Sequence, residues 1–336
     1  RAGVNAGNSI TSGGDKNTVV GDEAGAAITT GDFNTALGFE AGHDITTGSA
    51  NTIIGGLAGD KLIDASYNVA IGSGAIGADT KGSKSIAIGY NSLVTQNFTS
   101  ATDTFNVAIG FEAGRAISTG IQNTLLGGLA GDALTDADFN VAIGYNALTG
   151  DTQGSRSVAI GRGALAVQNF SSATDAYNIG IGFGAGVSVT TGKENVIIGG
   201  NAGDALTDAD FNTLVGSFAL SNDTQGSKST AIGYQALGTQ NFSSATGSFN
   251  TAVGYNAGVA VTTGINNTII GAVAGDALTD ADFNVAVGVG ALGADTKGNK
   301  NTAIGHDALG VQNFTSSTDA QNTAVGYNAG AAVTTG

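Results

Sequence analysis

The sequence contains no cysteine, proline, methionine or tryptophan. The missing cysteine excludes disulfides, thiolate metal sites and a cysteine nucleophile, but it does not indicate a redox compartment. Charged residues make up only 12% of the chain, about half of the roughly 25% usual in globular proteins. No apolar run approaches the roughly 18 residues of a membrane-spanning helix, so we expect no membrane insertion by this segment.

Positive charge is also scarce. Twelve Lys and Arg residues stand against 27 Asp and Glu residues, which gives a formal net charge of −15. A phosphate backbone or an anionic membrane is therefore not an expected partner. The same charge keeps an elongated particle soluble.

Glycine is abundant, at 56 of 336 residues, without the three-residue period of collagen. A nine-residue motif recurs instead, for example Asn250-Thr-Ala-Val-Gly-Tyr-Asn-Ala-Gly258, and its central glycines follow one another at steps of 17 or 21 residues. Self-similarity at a fixed period indicates one repeat body rather than several globular domains.

Three steps of 17 residues and one of 21 make a superrepeat of 72 residues. Because a further copy begins at residue 326, we expect the chain to be a segment of a longer protein. The predicted divisions are irregular N-terminal rungs at 1–37, superrepeats at 38–109, 110–181, 182–253 and 254–325, and the start of another repeat at 326–336.

The core of the motif is short, β-branched and bounded by Asn and Gly, which favours a strand over a helix. We predict an all-β fold, a parallel β-solenoid in which each 17- or 21-residue rung is one coil. Coils stacked at roughly 4.8 Å would form a rod about 90 Å long.

Side-chain alternation predicts which strand residues face outward. We expect the residue before the motif glycine, such as Ile143, to point into the coil, and the residue before that, such as Ala142, to point out. An apolar outward face on every rung indicates packing against other chains around a threefold axis. The alanines predicted at that interface are Ala108, Ala142, Ala252, Ala286 and Ala324.

Asn stands four residues before the motif glycine in 15 of 18 full units, and Ser85, Ser157 and Ser229 replace it in the others. Asn tolerates corner conformations, and its amide can bond to the same amide one rung away, so we predict a structural ladder. The ladder asparagines and turn glycines that open the superrepeats are Asn106, Asn178, Asn250, Asn322, Gly110, Gly182, Gly254 and Gly326.

The motif Asn301-Thr-Ala-Ile-Gly-His-Asp-Ala-Leu309, together with Asn250 to Gly258, resembles repeats of bacteriophage tail fibres and large bacterial surface proteins. Its Asn/Ser-x-Ala-Ile-Gly core is similar to the head repeats of trimeric autotransporter adhesins. That resemblance implies a left-handed parallel β-roll with three chains side by side. The rungs here are longer than those of the adhesin heads.

Aspartates cluster in the second step of each superrepeat. Closely spaced carboxylates on a loop suit a hard cation such as Ca²⁺, which would raise the melting temperature. The alternative, which we favour, is that each aspartate caps a turn through its own backbone. The Ca²⁺ candidates are Asp132, Asp136, Asp138, Asp204, Asp208, Asp210, Asp276, Asp280 and Asp282.

Four phenylalanines lie on the longest loops, in Gln-Asn-Phe-Ser/Thr segments. Their rings can stack on sugars or dock a neighbouring fibre, or they can fold back over the roll, which we favour. These residues are Phe98, Phe170, Phe242 and Phe314.

No catalytic constellation is predicted, because His43 and His306 occupy variable positions and no nucleophile elbow is present. We predict a non-enzymatic, extracellular shaft of a phage tail fibre or bacterial adhesin that forms a homotrimer or filament and presents a binding element to a cell-surface glycan or receptor. The alternatives are a flank-binding solenoid for glycans or ice and, third, a polysaccharide depolymerase.

Overall fold

The computed structural model describes residues 2–336. Within this range the chain has no helix and is a parallel β-solenoid of eighteen turns. It divides into two compact units, residues up to Gly163 with Asn169–Asp175, and Ala164–Gln168 with Ala176–Gly336. The predicted fold class is therefore confirmed, and each unit carries nine of the turns.

Each turn contributes one three-residue strand, and neighbouring strands pair in parallel without a shift in register. In the neighbouring strands Thr124–Leu126 and Val141–Ile143, for example, Leu125 lies beside Ala142 and Leu126 beside Ile143. The first unit contains β1 (Thr18–Val20), β2 (Thr35–Leu37), β3 (Thr52–Ile54), β4 (Val69–Ile71), β6 (Ile86–Ile88), β8 (Val107–Ile109), β9 (Thr124–Leu126), β10 (Val141–Ile143) and β12 (Val158–Ile160).

The second unit repeats the arrangement. Its strands are β14 (Ile179–Ile181), β15 (Val196–Ile198), β16 (Thr213–Val215), β18 (Thr230–Ile232), β20 (Thr251–Val253), β21 (Thr268–Ile270), β22 (Val285–Val287), β24 (Thr302–Ile304) and β26 (Thr323–Val325).

The longer fourth step of each superrepeat also adds a two-residue strand, which pairs with one in the step before it. This pairing gives the extra residues backbone partners. The pairs are β5 (Gly82–Ser83) with β7 (Thr102–Asp103), β11 (Gly154–Ser155) with β13 (Thr174–Asp175), β17 (Gly226–Ser227) with β19 (Thr246–Gly247), and β23 (Gly298–Asn299) with β25 (Thr318–Asp319).

The motif glycine turns the chain out of each strand. Gly254 has a φ of 142°, and a Cβ added to it would lie 2.5 Å from the carbonyl oxygen of Gly271 on the next turn. Only glycine accepts both this backbone conformation and this approach. The turn glycines predicted at 110, 182 and 326 have similar φ values, of 144°, 135° and 129°.

The predicted direction of the strand side chains is wrong. Ala142 is fully buried inside its own coil, whereas Ile143 is partly exposed. The interior is narrow and already holds larger groups: at Gly180, which takes the alanine position in β14, an added Cβ would meet Leu165 Cγ at 2.8 Å. The second residue of every strand faces in; it is alanine in most rungs, and in others it is larger, as at Ile53, Leu125 and Leu214.

The five alanines predicted at an oligomer interface accordingly line the core of their own chain. Their exposed fractions are at most 8%. Because both faces of the strand are apolar, alternation alone does not distinguish inside from outside. The interface prediction is corrected for Ala108, Ala142, Ala252, Ala286 and Ala324.

Candidate functional site

The ladder of asparagines lies at a buried corner of the coil. The backbone N–H of Asn267 donates to Asn250 Oδ1 at 2.9 Å, and its Nδ2 donates to the carbonyl oxygen of Ala281 at 2.8 Å. Asn284 repeats the first bond by donating its N–H to Asn267 Oδ1 at 3.0 Å. Each side chain thus satisfies backbone groups that would otherwise be buried without partners.

Asn106 and Asn178 make the same bonds in their own turns, and Asn322 does so at a more exposed position. The predicted ladder is therefore present, with one refinement. Its main link runs from a side-chain oxygen to the backbone N–H of the next asparagine, and amide-to-amide bonds such as that from Asn267 Nδ2 to Asn250 Oδ1, at 3.3 Å, are longer.

After its strand, each turn of a superrepeat places an aliphatic side chain in the interior in one of two ways. In the first two steps of a superrepeat, a glycine with left-handed backbone precedes an aliphatic residue by three positions, as Gly131 precedes Leu134. A Cβ added to Gly131 would lie 2.8 Å from Leu134 Cδ1. In the last two steps an aliphatic residue takes the glycine position, as Leu237 does with φ of 52°. The residue three positions later is then polar.

Those polar residues form a buried network that sequence analysis missed. Gln240 Nε2 donates to Asp223 Oδ2 at 2.6 Å and to Ser229 Oγ at 3.0 Å, and its Oε1 accepts from Asn250 Nδ2 at 2.8 Å. Asp223 Oδ1 accepts the backbone N–H groups of Gly226 and Phe242. In the sequence, this network is marked by a leucine at the position of the left-handed glycine, followed three positions later by a polar residue where the other turns have an aliphatic one.

This network accommodates serine in place of asparagine in three rungs. Ser229 is too short to reach the groups that an asparagine reaches, and the Gln240 amide bridges from it to Asn250. Asp79, Ser85, Gln96 and Asn106 repeat the arrangement in the first superrepeat. The polar groups are buried, yet each has a partner.

The loop phenylalanines cover this network. Phe98, Phe170 and Phe242 are at most 7% exposed, and Phe314 is half-buried. Each ring lies over the glycine of the preceding turn, as Phe242 Cδ2 lies 2.8 Å from a Cβ added to Gly226. The favoured prediction of packing against the roll is confirmed, and the alternative that Phe98, Phe170, Phe242 and Phe314 present their rings to a ligand or lateral partner is wrong.

The candidate calcium residues bond to separate partners. Asp132 Oδ1 accepts from Thr149 Oγ1 at 2.5 Å, Asp136 Oδ1 from Thr135 Oγ1 at 3.1 Å, and Asp138 Oδ1 from the N–H of Ile121 at 2.7 Å. The last two contacts recur at Asp208, Asp210, Asp280 and Asp282.

Between residues 2 and 336, no three acidic or histidine side chains are placed to hold one metal ion. The structure therefore does not join these aspartates into a cluster. Calcium binding remains a prediction, and melting in the presence of a chelator tests it.

Burial raises the pKa of Asp204 and Asp276, partly offset by each residue's own backbone N–H. Burial also raises the pKa of Asp138, and its hydrogen bond from Ile121 offsets part of that change. Asp204 Oδ1 is buried and has no hydrogen-bond partner. The corresponding oxygen of Asp132 accepts from Thr149, so similar loops differ in how well they stabilise a charge.

The outward face of the sheet has an aliphatic column at the third strand position and a mixed column at the first, where threonine occupies ten of eighteen strands. The first and third residues of each strand point away from the core, and Leu126, in the third position of β9, is 43% exposed. Aromatic residues follow the turn glycine in many rungs, and some stack between neighbouring rungs, as Tyr90 does on Phe111 at 5.5 Å and Tyr234 on Tyr255 at 5.6 Å between ring centroids.

No protein-family model matches this chain, and no curated protein matches it significantly. Over residues 2–336 no helix is long and apolar enough to cross a bilayer. The function is therefore argued from the ladder, the interior and the outward face.

Proposed function

We propose that this chain is a structural shaft segment of a fibre or filament, carried by a phage tail fibre or by a bacterial surface adhesin. Nearly every turn repeats the same ladder bond and the same parallel strand pairing. Rigidity is then distributed over many equivalent contacts, and no single turn is critical. Such a segment holds a terminal binding element at a distance from the surface that carries it.

The observation that supports assembly is the outward sheet face. In each unit, nine rungs spaced by about 4.8 Å and three residues spaced by about 3.3 Å give this face an area of roughly 430 Å². Its third-position residues are Ile, Leu or Val in every strand. A regular face with one continuous aliphatic column and aromatic residues beside it favours association with other protein surfaces.

The occupant that we propose is a second and a third copy of the same chain, arranged as a homotrimer. A regular face of identical rungs is complementary to itself, because a column of aliphatic side chains meets another column at the same spacing. In this trimer the interface is formed by outward residues such as Ile109, Leu126 and Ile143 instead of by the alanines.

The net charge of −15 is compatible with an extracellular shaft, since it disfavours side-by-side aggregation of assembled particles. We propose a location on a virion or on a bacterial cell surface. We propose no catalytic role.

Light scattering coupled to size exclusion tests the trimer. At about 10 μM the chain should have three times its monomer mass, and Ile109→Lys combined with Leu126→Lys should yield folded monomers, because a cluster of lysines is costly to bury. The matched control adds the same charge at Thr99 and Ser100, which lie exposed on a loop, and should stay trimeric. A monomeric parent chain, or a trimeric face variant with unchanged circular dichroism, contradicts the proposal.

A further inference from the structure

One flank of the solenoid carries a repeated ion pair. In three superrepeats a cation in the third step faces an aspartate in the short strand of the fourth step. Lys84 Nζ lies 2.5 Å from Asp103 Oδ2, Arg156 Nε lies 2.9 Å from Asp175 Oδ1, and Lys300 Nζ lies 2.5 Å from Asp319 Oδ2. The pairs lie on the surface, where the cations are about 40% exposed.

The remaining superrepeat keeps the cation and lacks the acid. Lys228 corresponds to Lys84, but Gly247 stands where the aspartate is expected. Among the described residues Lys228 has no ion pair; its ammonium group lies 5.0 Å from the centroid of the Phe249 ring. A depression of about 240 Å³ opens here, lined by Asp210, Phe211, Ser227, Lys228, Ala245, Thr246 and Gly247.

The surroundings of this depression combine aromatic and polar groups. Phe211 and Phe249 lie on the rungs before and after Lys228, and their side chains are 49% and 53% exposed. Ser227 and Thr246 add hydroxyl groups. Asp210 Oδ1 accepts the N–H of Lys193 at 2.7 Å, and its other oxygen is available as an acceptor.

We propose that the depression at Lys228 binds a sugar that bears a carboxylate, such as a uronic acid residue of a surface polysaccharide. The carboxylate of the sugar takes the position of the missing aspartate and pairs with the Lys228 ammonium group. The C–H face of the ring packs on the exposed phenylalanine rings, and the sugar hydroxyls donate to Asp210. Binding here is independent of the shaft function.

The other superrepeats show that this place tolerates an acid. Asp138 and Asp282 are the counterparts of Asp210, and there a second carboxylate, from Asp175 or Asp319, already shares the neighbourhood with a cation. Phe139 also lies against its cation, with Arg156 Cζ 4.7 Å from the ring centroid. A ligand carboxylate at Lys228 therefore restores a charge arrangement that the fold uses elsewhere.

A sugar suits these groups better than an acidic peptide does. Asp210 is an acceptor that requires a donor near the bound carboxylate, and a uronic acid carries free hydroxyls on the same rigid ring as its acid group. The exposed rings of Phe211 and Phe249 offer flat apolar surfaces on which a sugar ring packs, whereas an Asp/Glu peptide has no apolar face to place there.

Two-dimensional NMR and calorimetry on the full chain test the site with trigalacturonic acid. Its methyl ester is the neutral control ligand, and an Asp/Glu tripeptide is the acidic control. We expect one site per chain, binding of the acid only, and an affinity lowered about fivefold to tenfold in Lys228→Gln.

Gly247→Asp is the matched variant, because it installs the residue that the other three superrepeats carry. Gly247 does not have a left-handed backbone, and the three atoms nearest to an added Cβ all belong to the Phe249 ring, the closest at 2.7 Å, so a shift of that side chain accommodates the aspartate. We expect this variant to fold and to lose at least about tenfold in affinity by supplying the carboxylate internally. Asp103→Gly should create a second, weaker site, because Lys84 lies 5.2 Å from the Phe105 ring centroid while Ser66 stands at the position of Asp210.

The outcomes separate clearly. Binding of the acid by the parent chain, loss in Gly247→Asp and a doubled stoichiometry in Asp103→Gly support the site. No binding by the parent chain, equal binding of the ester or the tripeptide, or unchanged affinity in Gly247→Asp overturns it. Oligomeric mass measured on the same samples keeps this result distinct from the fate of the shaft proposal.

Discussion

Removing one rung of the asparagine ladder is the sharpest test of how this solenoid holds together. In Asn267→Ala, the carbonyl oxygen of Ala281 loses its 2.8 Å donor and the N–H of Asn284 loses its 3.0 Å acceptor. Asn267 is fully buried, so water does not replace either partner without local opening. An unsatisfied buried group costs about 1–3 kcal/mol, and the two together should cost about 2–6 kcal/mol.

The assay has to be local, because long repeat arrays do not unfold in one cooperative step. Hydrogen exchange followed by mass spectrometry reports the opening of individual segments. A loss of 2 kcal/mol corresponds to exchange that is roughly 30 times faster, and we expect it in the peptides around β21 and β22. Peptides several turns away should exchange at the parent rate, since each turn contacts only its neighbours.

Two variants sharpen the result. Asn267→Ser should cost nearly as much as the alanine, although serine occupies three other rungs, because Gln240 bridges from Ser229 and no glutamine serves residue 267. Asn266→Gln should change stability by less than about 0.5 kcal/mol, because Gln122 has the same left-handed backbone at the equivalent position. Unchanged exchange in Asn267→Ala, or a fully stable Asn267→Ser, would refute this account of the ladder.

Two further predictions concern the interior and the loops. Leu134→Ala should lower the free energy of unfolding by about 2–4 kcal/mol. Adding Gly131→Leu should recover at least half of this loss, since the new side chain enters the place that Leu148 fills in the next turn. Chemical denaturation measures both, and a double variant less stable than Leu134→Ala contradicts the prediction. Burial raises the pKa of Asp204 in the folded state above its value in the unfolded state. The free energy of unfolding is therefore highest below the unfolded-state pKa, where Asp204 is protonated in both states, and it falls as the pH rises through the folded-state pKa. Asp204→Asn should therefore raise stability at neutral pH, by no more than about 1 kcal/mol because part of the side chain faces solvent. Asp132→Asn should lower stability. Melting curves from about pH 3 to pH 8 test both variants, and equal effects would contradict the conclusion that the two loops stabilise a charge differently.

The repeat sequence by itself determined the fold class, the length of each coil, the location of the strands and the ladder at the asparagine position. These features depend on local chemistry, since a β-branched triplet between Asn and Gly specifies a strand and a corner wherever it occurs. Packing of the loop phenylalanines over the roll was also predictable, because an aromatic ring on a loop gains free energy when its surface is removed from water.

Only the tertiary structure decided which face of each strand is inside. Ala142 and Ile143 are both apolar, so alternation allows either direction, and the stacking of the coils places the second residue of each strand inside, whether it is Ala142 or Leu214. The pairing of Asp223 with Gln240 across two turns, and the depression left by Gly247 beside Lys228, likewise depend on which residues stack from one coil to the next. The spacing of the repeat predicts that coils stack, whereas the fit of side chains within and between coils decides what the interior holds and what the surface offers.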